Sequence, residues 1–126
     1  MGEIKFSKDH QWVRLDAAGV AVIGISDYAQ EEMGNVVFVE LPAVGDTIER
    51  GREAGTVESV KTASDLLAPV SGSVLEVNPE LENSPGLVNQ DAQGKGWLLR
   101  VEPSDSSQFD SLMDEATYRD FISRIE

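Results

Sequence analysis

The feature that most constrains the fold of this chain is a series of short runs of β-branched and apolar residues. These runs cover residues 12–15, 20–25, 36–41, 55–60, 66–70, 73–77 and 97–101. Between them lie segments rich in Gly, Pro, Asp and Asn, which favour turns. Short strands at this spacing, without long helical patterns between them, are typical of a small sandwich or barrel. The pattern therefore predicts a mainly β fold, and the length of 126 residues suits a single domain over residues 1–126.

Helical patterns in the first two thirds of the chain are few and short. Asp27 is predicted to cap one helix, with Gln30 completing a capping box and Gly34 ending the helix. Asn78 followed by Pro79 predicts a further turn of helix, because proline favours the first helical position. Helices are therefore expected to be a minor part of the fold.

The C-terminal segment has the clearest helical pattern. One helical stretch is predicted to begin at Ser104 or Asp105, and another at Asp114. In the second stretch the apolar residues that fall on one face at helical spacing are Tyr118, Phe121, Ile122 and Ile125. We expect this face to pack against the β core.

Charge and composition exclude several classes of function. Ten basic residues against 23 acidic ones give a formal net charge of −13, and so acidic a chain repels the phosphate backbone of nucleic acids. The chain has no cysteine, so disulfides, thiolate metal sites and a thiol nucleophile are excluded, and no metal site is predicted. His10 is the single histidine, and the parts of a nucleophile, base and orienting group are not identifiable, so we do not expect an enzyme.

The sequence shows no signal for a membrane or for export. No apolar run approaches the length needed to cross a bilayer. Residues 1–6 lack the basic start and apolar stretch of a secretory signal. We expect a bacterial cytoplasmic protein, or a mitochondrial matrix protein after processing. We also expect a monomer.

Residues 55–74 form the segment of chemical interest. Two strand-like runs flank a polar centre, and Pro69 and Gly72 close the second run, so a hairpin with Lys61 near its tip is predicted. The tip lacks the Asn-Gly or Asp-Gly pair of a strong two-residue hairpin. A lysine at this tip would project into solvent, where a lone lysine is by itself an ordinary surface charge.

The residues around Lys61 resemble the lipoylation segment of glycine cleavage H proteins. The residues that carry this resemblance are Glu58-Ser59-Val60-Lys61, Ser64-Asp65 and Ala68-Pro69-Val70-Ser71-Gly72. Further blocks similar to H-protein segments, in the same order, are 8–13, 24–30, 34–42 and 96–98. The resemblance covers nearly the whole chain. It implies a flattened barrel-sandwich hybrid of the lipoyl-domain type, with a few short helices that include a C-terminal one.

The resemblance implies a non-enzymatic carrier. In the family a lipoylating enzyme joins lipoate to the lysine amine as an amide, which implies a lipoyl arm on Lys61. The arm would shuttle an aminomethyl group from glycine decarboxylase to aminomethyltransferase and be reoxidised by dihydrolipoyl dehydrogenase. These three enzymes and the lipoylating enzymes are the implied partners.

The resemblance also implies a surface cleft for the arm. Asp65 and Glu32 would face the positive charge of the loaded arm. Gln11 would line the same cleft, at a position where the family usually has Glu. The chain therefore has one carboxylate fewer to face a positively charged group.

Four further residues have both a structural and a functional interpretation. The resemblance implies that Glu58 and Gly72 help a lipoylating enzyme to recognise the hairpin, although a strand Glu and a turn Gly are equally ordinary. His10 and Trp12 are expected to pin the first strand to the barrel, since an aromatic residue after a polar turn usually packs.

Two alternatives to the glycine cleavage carrier stay open. An H-like protein that relays lipoyl groups to other enzymes would need the same hairpin and the same recognition by a ligase. An unmodified β-barrel interaction module would make Lys61 incidental. Glycine–bicarbonate exchange with glycine decarboxylase separates the carrier from the relay, because a pure relay protein gives no exchange.

Overall fold

The computed structural model describes residues 3–105 and 107–125. Within them the strands are Ile4–Phe6 (β1), Gln11–Leu15 (β2), Ala21–Ile25 (β3), Val36–Glu40 (β4), Thr47–Ile48 (β5), Glu53–Ser59 (β6), Ala63–Leu67 (β7), Gly72–Val77 (β8) and Leu99–Pro103 (β9). The helices are Asp27–Met33 (α1), the 3₁₀ turn Pro79–Glu82, Leu87–Gln90 (α2), Ser107–Asp110 (α3) and Glu115–Ile125 (α4). The prediction of a mainly β fold with a few short helices, including a C-terminal one, is confirmed.

The strands form two antiparallel sheets. One has the order β1-β2-β3-β9-β8-β5, and the other has the order β4-β6-β7. A single hydrophobic cluster contains Val13, Ile23 and Val101 of the first sheet together with Val57 and Leu66 of the second. The two sheets therefore pack face to face as an unclosed sandwich, with the hairpin β6–β7 in the smaller sheet.

A second cluster holds α4 against the first strands. The rings of Phe6 and Tyr118 stack with centroids 4.3 Å apart, an arrangement that contributes about 0.5–1.5 kcal/mol beyond area burial. Trp12 is fully buried, and its Nε1 donates to the carbonyl oxygen of Ala92 over 2.8 Å. The expectation that Trp12 packs is therefore confirmed.

The predicted apolar face of α4 is only partly correct. Tyr118 is buried, and Phe121 and Ile122 pack against its cluster. Ile125 instead is among the exposed large hydrophobic residues, because the contacts of α4 with this cluster come from residues 118–122. The predicted cap of this helix is confirmed, since Asp114 Oδ1 accepts from the backbone N–H of Thr117 over 2.8 Å.

The predicted capping box of α1 is wrong. Ser26 is the N-cap, and its Oγ accepts from the backbone N–H of Ala29 over 3.2 Å. Asp27 is instead the first residue of the helix, where its negative charge suits the helix dipole. Gln30 does not close a box, because its Oε1 accepts from Asn89 Nδ2 at 3.0 Å. Gly34 does end the helix, with φ 79°.

Several strand boundaries differ from the prediction. The run predicted over 66–70 is observed as Ala63–Leu67, and the run predicted over 97–101 as Leu99–Pro103. Apolar residues indicate which part of each run is buried, but they do not mark where a strand ends. Pro69 does not continue the first of these strands, because it has no backbone N–H to donate to a neighbouring strand. Strands β1 and β5 and helix α2 were not predicted, because segments of two to four residues carry too little periodic signal.

Gly72 is fixed by the packing of β8 on β9. It pairs with Pro103 and with Ile48 of β5. A β-carbon on Gly72 would collide with the carbonyl oxygen of Glu102 and lie 2.5 Å from Val101 Cγ1. The close approach of the two strands therefore requires glycine here.

The variant Gly72→Ala should lower the free energy of unfolding by about 1–3 kcal/mol, the usual effect of overpacking. Gly86→Ala is the matched control, since a β-carbon there meets nothing within 4 Å and its φ of −63° is helical. The control should be neutral or stabilising by up to about 1 kcal/mol. Urea unfolding of both variants checks this, and equal stabilities would contradict the packing argument.

Candidate functional site

The tip of the β6–β7 hairpin is closed by Ser59. The last paired residues are Glu58 and Ala63, and the backbone N–H of Ser59 donates to the carbonyl oxygen of Thr62 over 2.7 Å. Ser59 Oγ accepts from the N–H groups of both Lys61 and Thr62, each over 3.2 Å. A serine side chain can take the place of a turn carbonyl in this way. The hairpin prediction is confirmed, and these bonds explain how the tip forms without Asn-Gly.

Lys61 lies at this tip with its side chain supported on one side. The residue is exposed, and the preceding Val60 N–H donates to the carbonyl oxygen of Asn35 over 3.0 Å, which ties the tip to the chain after α1. The lysine stem crosses Gly34, where a β-carbon would lie only 3.3 Å from Lys61 Cε. The tip is therefore held while the amine remains accessible.

A cavity of about 320 Å³ lies beside the hairpin. Its walls come from the start of β2, from α1 and from β6–β7. The lining residues are Asp9, His10, Gln11, Ile25, Tyr28, Ala29, Glu32, Met33, Val57, Ser64, Asp65 and Leu66. The structure thus brings together the three residues predicted to line a cleft, which are far apart in sequence.

Residues near Lys61 line the cavity. Met33, in the cavity wall, directly precedes the Gly34 that the lysine stem crosses. Ser64 and Asp65 follow Lys61 by three and four positions on β7 and also line the cavity. Their strand, β7, is an edge strand of its sheet. A group attached to the Lys61 amine would therefore start next to the mouth of this cavity.

The cavity combines an apolar floor with acidic walls. Asp9, Glu32 and Asp65 supply carboxylates, whereas Gln11 is uncharged. Gln11 is buried, its Oε1 accepts from Ser7 Oγ at 2.6 Å, and its Nε2 donates to the Asp9 carbonyl oxygen at 3.0 Å. A carboxylate at this position could not make the second bond. Such a cavity can hold a mostly apolar chain that ends in a positive charge.

Comparison with known proteins supports a specific family. The sequence model of the family Glycine cleavage H-protein matches residues 4–125. The chain belongs to the glycine cleavage H-protein family. A glycine cleavage system H protein of Xanthobacter autotrophicus is 51% identical and covers 97% of both chains, and one of Parvibaculum lavamentivorans is 50% identical over the full length of both.

A solved structure agrees with this assignment. The crystal structure of a glycine cleavage system H protein from Mycobacterium marinum matches with a TM-score of 0.87 and 35% identity, covering 98% of each chain. The H protein is a lipoyl carrier and not a catalyst, and its family works with the other components of the glycine cleavage system. The barrel-sandwich architecture of the lipoyl-domain type is therefore confirmed.

No helix in residues 3–105 and 107–125 is long and apolar enough to cross a membrane. Within the same ranges, no three His, Cys, Asp or Glu side chains are grouped so that they could hold a metal ion.

The remaining predicted residues lie outside the cavity. Glu58 is on β6, on the outer face of the three-stranded sheet, where it pairs with Phe38 of β4 and Ala63 of β7. Gly72 is in the other sheet, between β5 and β9. The two residues predicted to guide lipoylation are therefore placed on different sheets.

A hydrogen-bond chain behind the cavity was not predicted. His10 Nδ1 and the Tyr118 hydroxyl are 2.7 Å apart, and the same hydroxyl lies 2.7 Å from Ser26 Oγ, the cap of α1. His10 has the positive φ of 74°. The chain links the cavity wall, α1 and α4 across 108 positions of sequence. His10 therefore links the start of β2 to α4. It also lines the cavity, so the expectation that it only pins the strand is incomplete.

Burial sets the protonation behaviour of this chain. Desolvation lowers the pKa of His10 below its ordinary value of 6.5, although the charges of Asp9 and Glu32 oppose the shift. Desolvation likewise raises the pKa of the Tyr118 hydroxyl, partly offset by its bond with Ser26. At neutral pH the imidazole is therefore neutral and able to bond with the hydroxyl.

The variant His10→Asn should remove a pH dependence of stability. The unfolded chain takes up a proton as pH falls through 6.5, whereas folded His10 does so only at lower pH, so the wild type loses stability through that window. Asparagine tolerates positive φ. Urea unfolding from about pH 7.5 to about pH 5 should show the wild type losing stability relative to the variant. Parallel pH profiles would contradict this assignment.

Proposed function

We propose that Lys61 is the attachment point of lipoate, joined as an amide, and that the chain is the lipoyl carrier of a glycine cleavage system. The observation that carries this proposal is the position of Lys61. It is exposed at a serine-closed hairpin tip, its stem crosses Gly34, and it adjoins an acid-lined cavity. An ordinary surface lysine needs none of these features.

The residues around Lys61 fit the lipoyl group and its cargo. A lipoyl group on Lys61 would supply a redox-active disulfide that can carry an aminomethyl unit between the enzymes of the system. The chain itself would hold the arm, present it to the partner enzymes and shelter its cargo. Asp65 and Glu32 would face the ammonium end, and Gln11 would form an uncharged wall.

The strength of this shelter depends on how much of the apolar arm is buried. Burying about four methylenes of an arm would contribute roughly 3 kcal/mol at ~0.8 kcal/mol each. This favours the lodged arm about a hundredfold over the free arm. A docking partner with comparable contacts can reverse that preference. The cavity is therefore suited to temporary protection, and not to permanent binding.

The proposed carrier has several partner enzymes and a cellular compartment. Glycine decarboxylase, aminomethyltransferase, dihydrolipoyl dehydrogenase and a lipoylating enzyme are the proposed partners of a monomer that works as one domain. The relatives described above are bacterial, which favours the cytoplasm over the mitochondrial matrix. We propose that Glu58 contributes to recognition by the lipoylating enzyme, whereas Gly72 contributes through the packing of β8 on β9.

The variant Lys61→Arg tests the attachment site. It keeps charge and exposure, so the fold should be retained, but the guanidinium cannot be lipoylated. After incubation with lipoate, ATP and a lipoate ligase, intact-mass spectrometry should show no lipoyl increment, and glycine–bicarbonate exchange with glycine decarboxylase should be abolished. The matched control is Lys95→Arg, at another exposed lysine, which should gain one lipoyl increment and retain exchange.

Each other outcome of this test is decisive. Residual exchange in Lys61→Arg would refute the assignment of Lys61. A lipoylated wild-type protein that supports no exchange would favour the lipoyl relay over the glycine cleavage carrier. A wild-type protein that is never lipoylated, while a second lipoyl protein in the same reaction is, would favour the unmodified interaction module.

A further inference from the structure

A bulge in β4 exposes two consecutive apolar side chains. Val36 pairs with Ser59 and Phe38 pairs with Glu58, so the register shifts by one residue between them. In a regular strand the side chains of Val36 and Phe38 would point to the same face. Here Val36 is buried, whereas Val37 and Phe38 are 52% and 51% exposed. The extra residue therefore turns both side chains to the outer face of the sheet.

These side chains lie beside the hairpin tip. Phe38 is directly opposite Glu58 on β6, and Val60, which is 66% exposed, precedes Lys61. We name the set Val37, Phe38, Glu58 and Val60 the outer row. Among the described residues the exposed large hydrophobics are Val37, Phe38, Val44, Val60, Leu75 and Ile125. Half of them thus belong to the outer row.

The outer row continues into an apolar groove. A cavity of about 350 Å³ lies along β4, between this edge strand and the 3₁₀ turn, with Val37, Phe38, Leu41, Val77 and Leu81 in its walls. It is separate from the cavity proposed for the arm, and the two share no lining residue. Scattered apolar side chains on a surface need no explanation, but a contiguous set beside a groove marks an interaction surface.

We propose that the outer row is the docking surface for the lipoate ligase that acylates Lys61. This inference rests on the function proposed above. The lysine stem reaches only about 6 Å from its Cα by covalent geometry, whereas a completed lipoyl arm reaches on the order of 14 Å. The ligase must bring its activated acyl carbon to the bare amine, so it has to contact the hairpin surface next to Lys61. Enzymes that receive the completed arm can dock farther away.

The reaction requires this close approach. The Lys61 amine nitrogen attacks the carbonyl carbon of lipoyl adenylate held by the ligase, and a new C–N bond forms. The bond from that carbon to the phosphate oxygen breaks, AMP leaves with the electron pair, and the amine releases a proton to solvent. No electrons are exchanged with another reactant, and the disulfide of the lipoyl group is unchanged.

Charge indicates the chemistry of the ligase surface. Glu58 lies within the outer row and Glu40 follows on the same strand, in a chain with net charge −13. Many of the basic residues are engaged elsewhere, for example Arg100 with Glu76 and Arg119 with Glu115. The complementary partner surface has an apolar centre, which receives Phe38, and a basic rim.

The test uses the full-length apo chain with paired substitutions. The variants are Val37→Thr and Phe38→Thr, because threonine keeps a high strand propensity while it removes apolar surface. Their matched controls are Val44→Thr and Leu75→Thr, which alter exposed apolar residues away from the hairpin, 63% and 45% exposed. Lipoylation by a lipoate ligase is followed by intact-mass spectrometry over a range of apo-protein concentrations, and thermal unfolding verifies the fold.

We expect the combined variant Val37→Thr/Phe38→Thr to raise the KM for apo protein about tenfold, with kcat within about twofold, while the control pair stays within twofold of wild type. Once lipoylated at high concentration, the combined variant should have a wild-type KM with glycine decarboxylase.

Normal lipoylation of the combined variant, or an equal loss of lipoylation in the controls, overturns the proposal. An equal rise in the KM with glycine decarboxylase overturns the assignment of the surface to the ligase. Failure of the wild type to be lipoylated would refute instead the proposed function.

Discussion

The pairing of β6 with β7 is the constraint on which the site depends. Its register sets Glu58 against Ala63 and Val57 against Ser64, which directs Val57 to the core and Glu58 to the outer face. Because side chains alternate along a strand, a slip of one residue would exchange the two faces. The burial of Val57 and Leu66 in the shared core opposes such a slip. The hydrophobic core therefore indirectly fixes the position of Lys61 at the tip.

Two surfaces with different chemistry meet at this tip. On one side lies the acid-lined cavity between α1, β2 and β7, and on the other lie Phe38 and its apolar groove. The first suits a flexible chain that ends in a positive charge, and the second suits the surface of a protein. Such a division would let one lysine be modified from one side and have its arm sheltered on the other. The bulge in β4 is the local irregularity that makes the second surface possible.

The sequence was informative where the signal is local. Alternating apolar runs predicted the β fold, and the run around Lys61 predicted the hairpin. Resemblance to a family placed Asp65, Glu32 and Gln11 at a common cleft, and the structure brings them around one cavity. Features that depend on tertiary contacts were not accessible. Ser26 caps α1 in place of Asp27, and the bonds between His10, Tyr118 and Ser26 join distant segments that no local pattern relates.

The central claim is that the hairpin tip and the cavity act together, so that what Lys61 carries is sheltered by the fold. The most direct test is the lifetime of the one-carbon cargo on the lipoylated chain, compared with that on a lipoylated peptide of residues 53–67, which has the hairpin sequence but no cavity. The account predicts a lifetime roughly a hundredfold longer on the folded chain. It also predicts a several-fold shortening in Asp65→Asn but none in the exposed control Asp110→Asn. Equal lifetimes on the folded chain and the peptide would contradict the account.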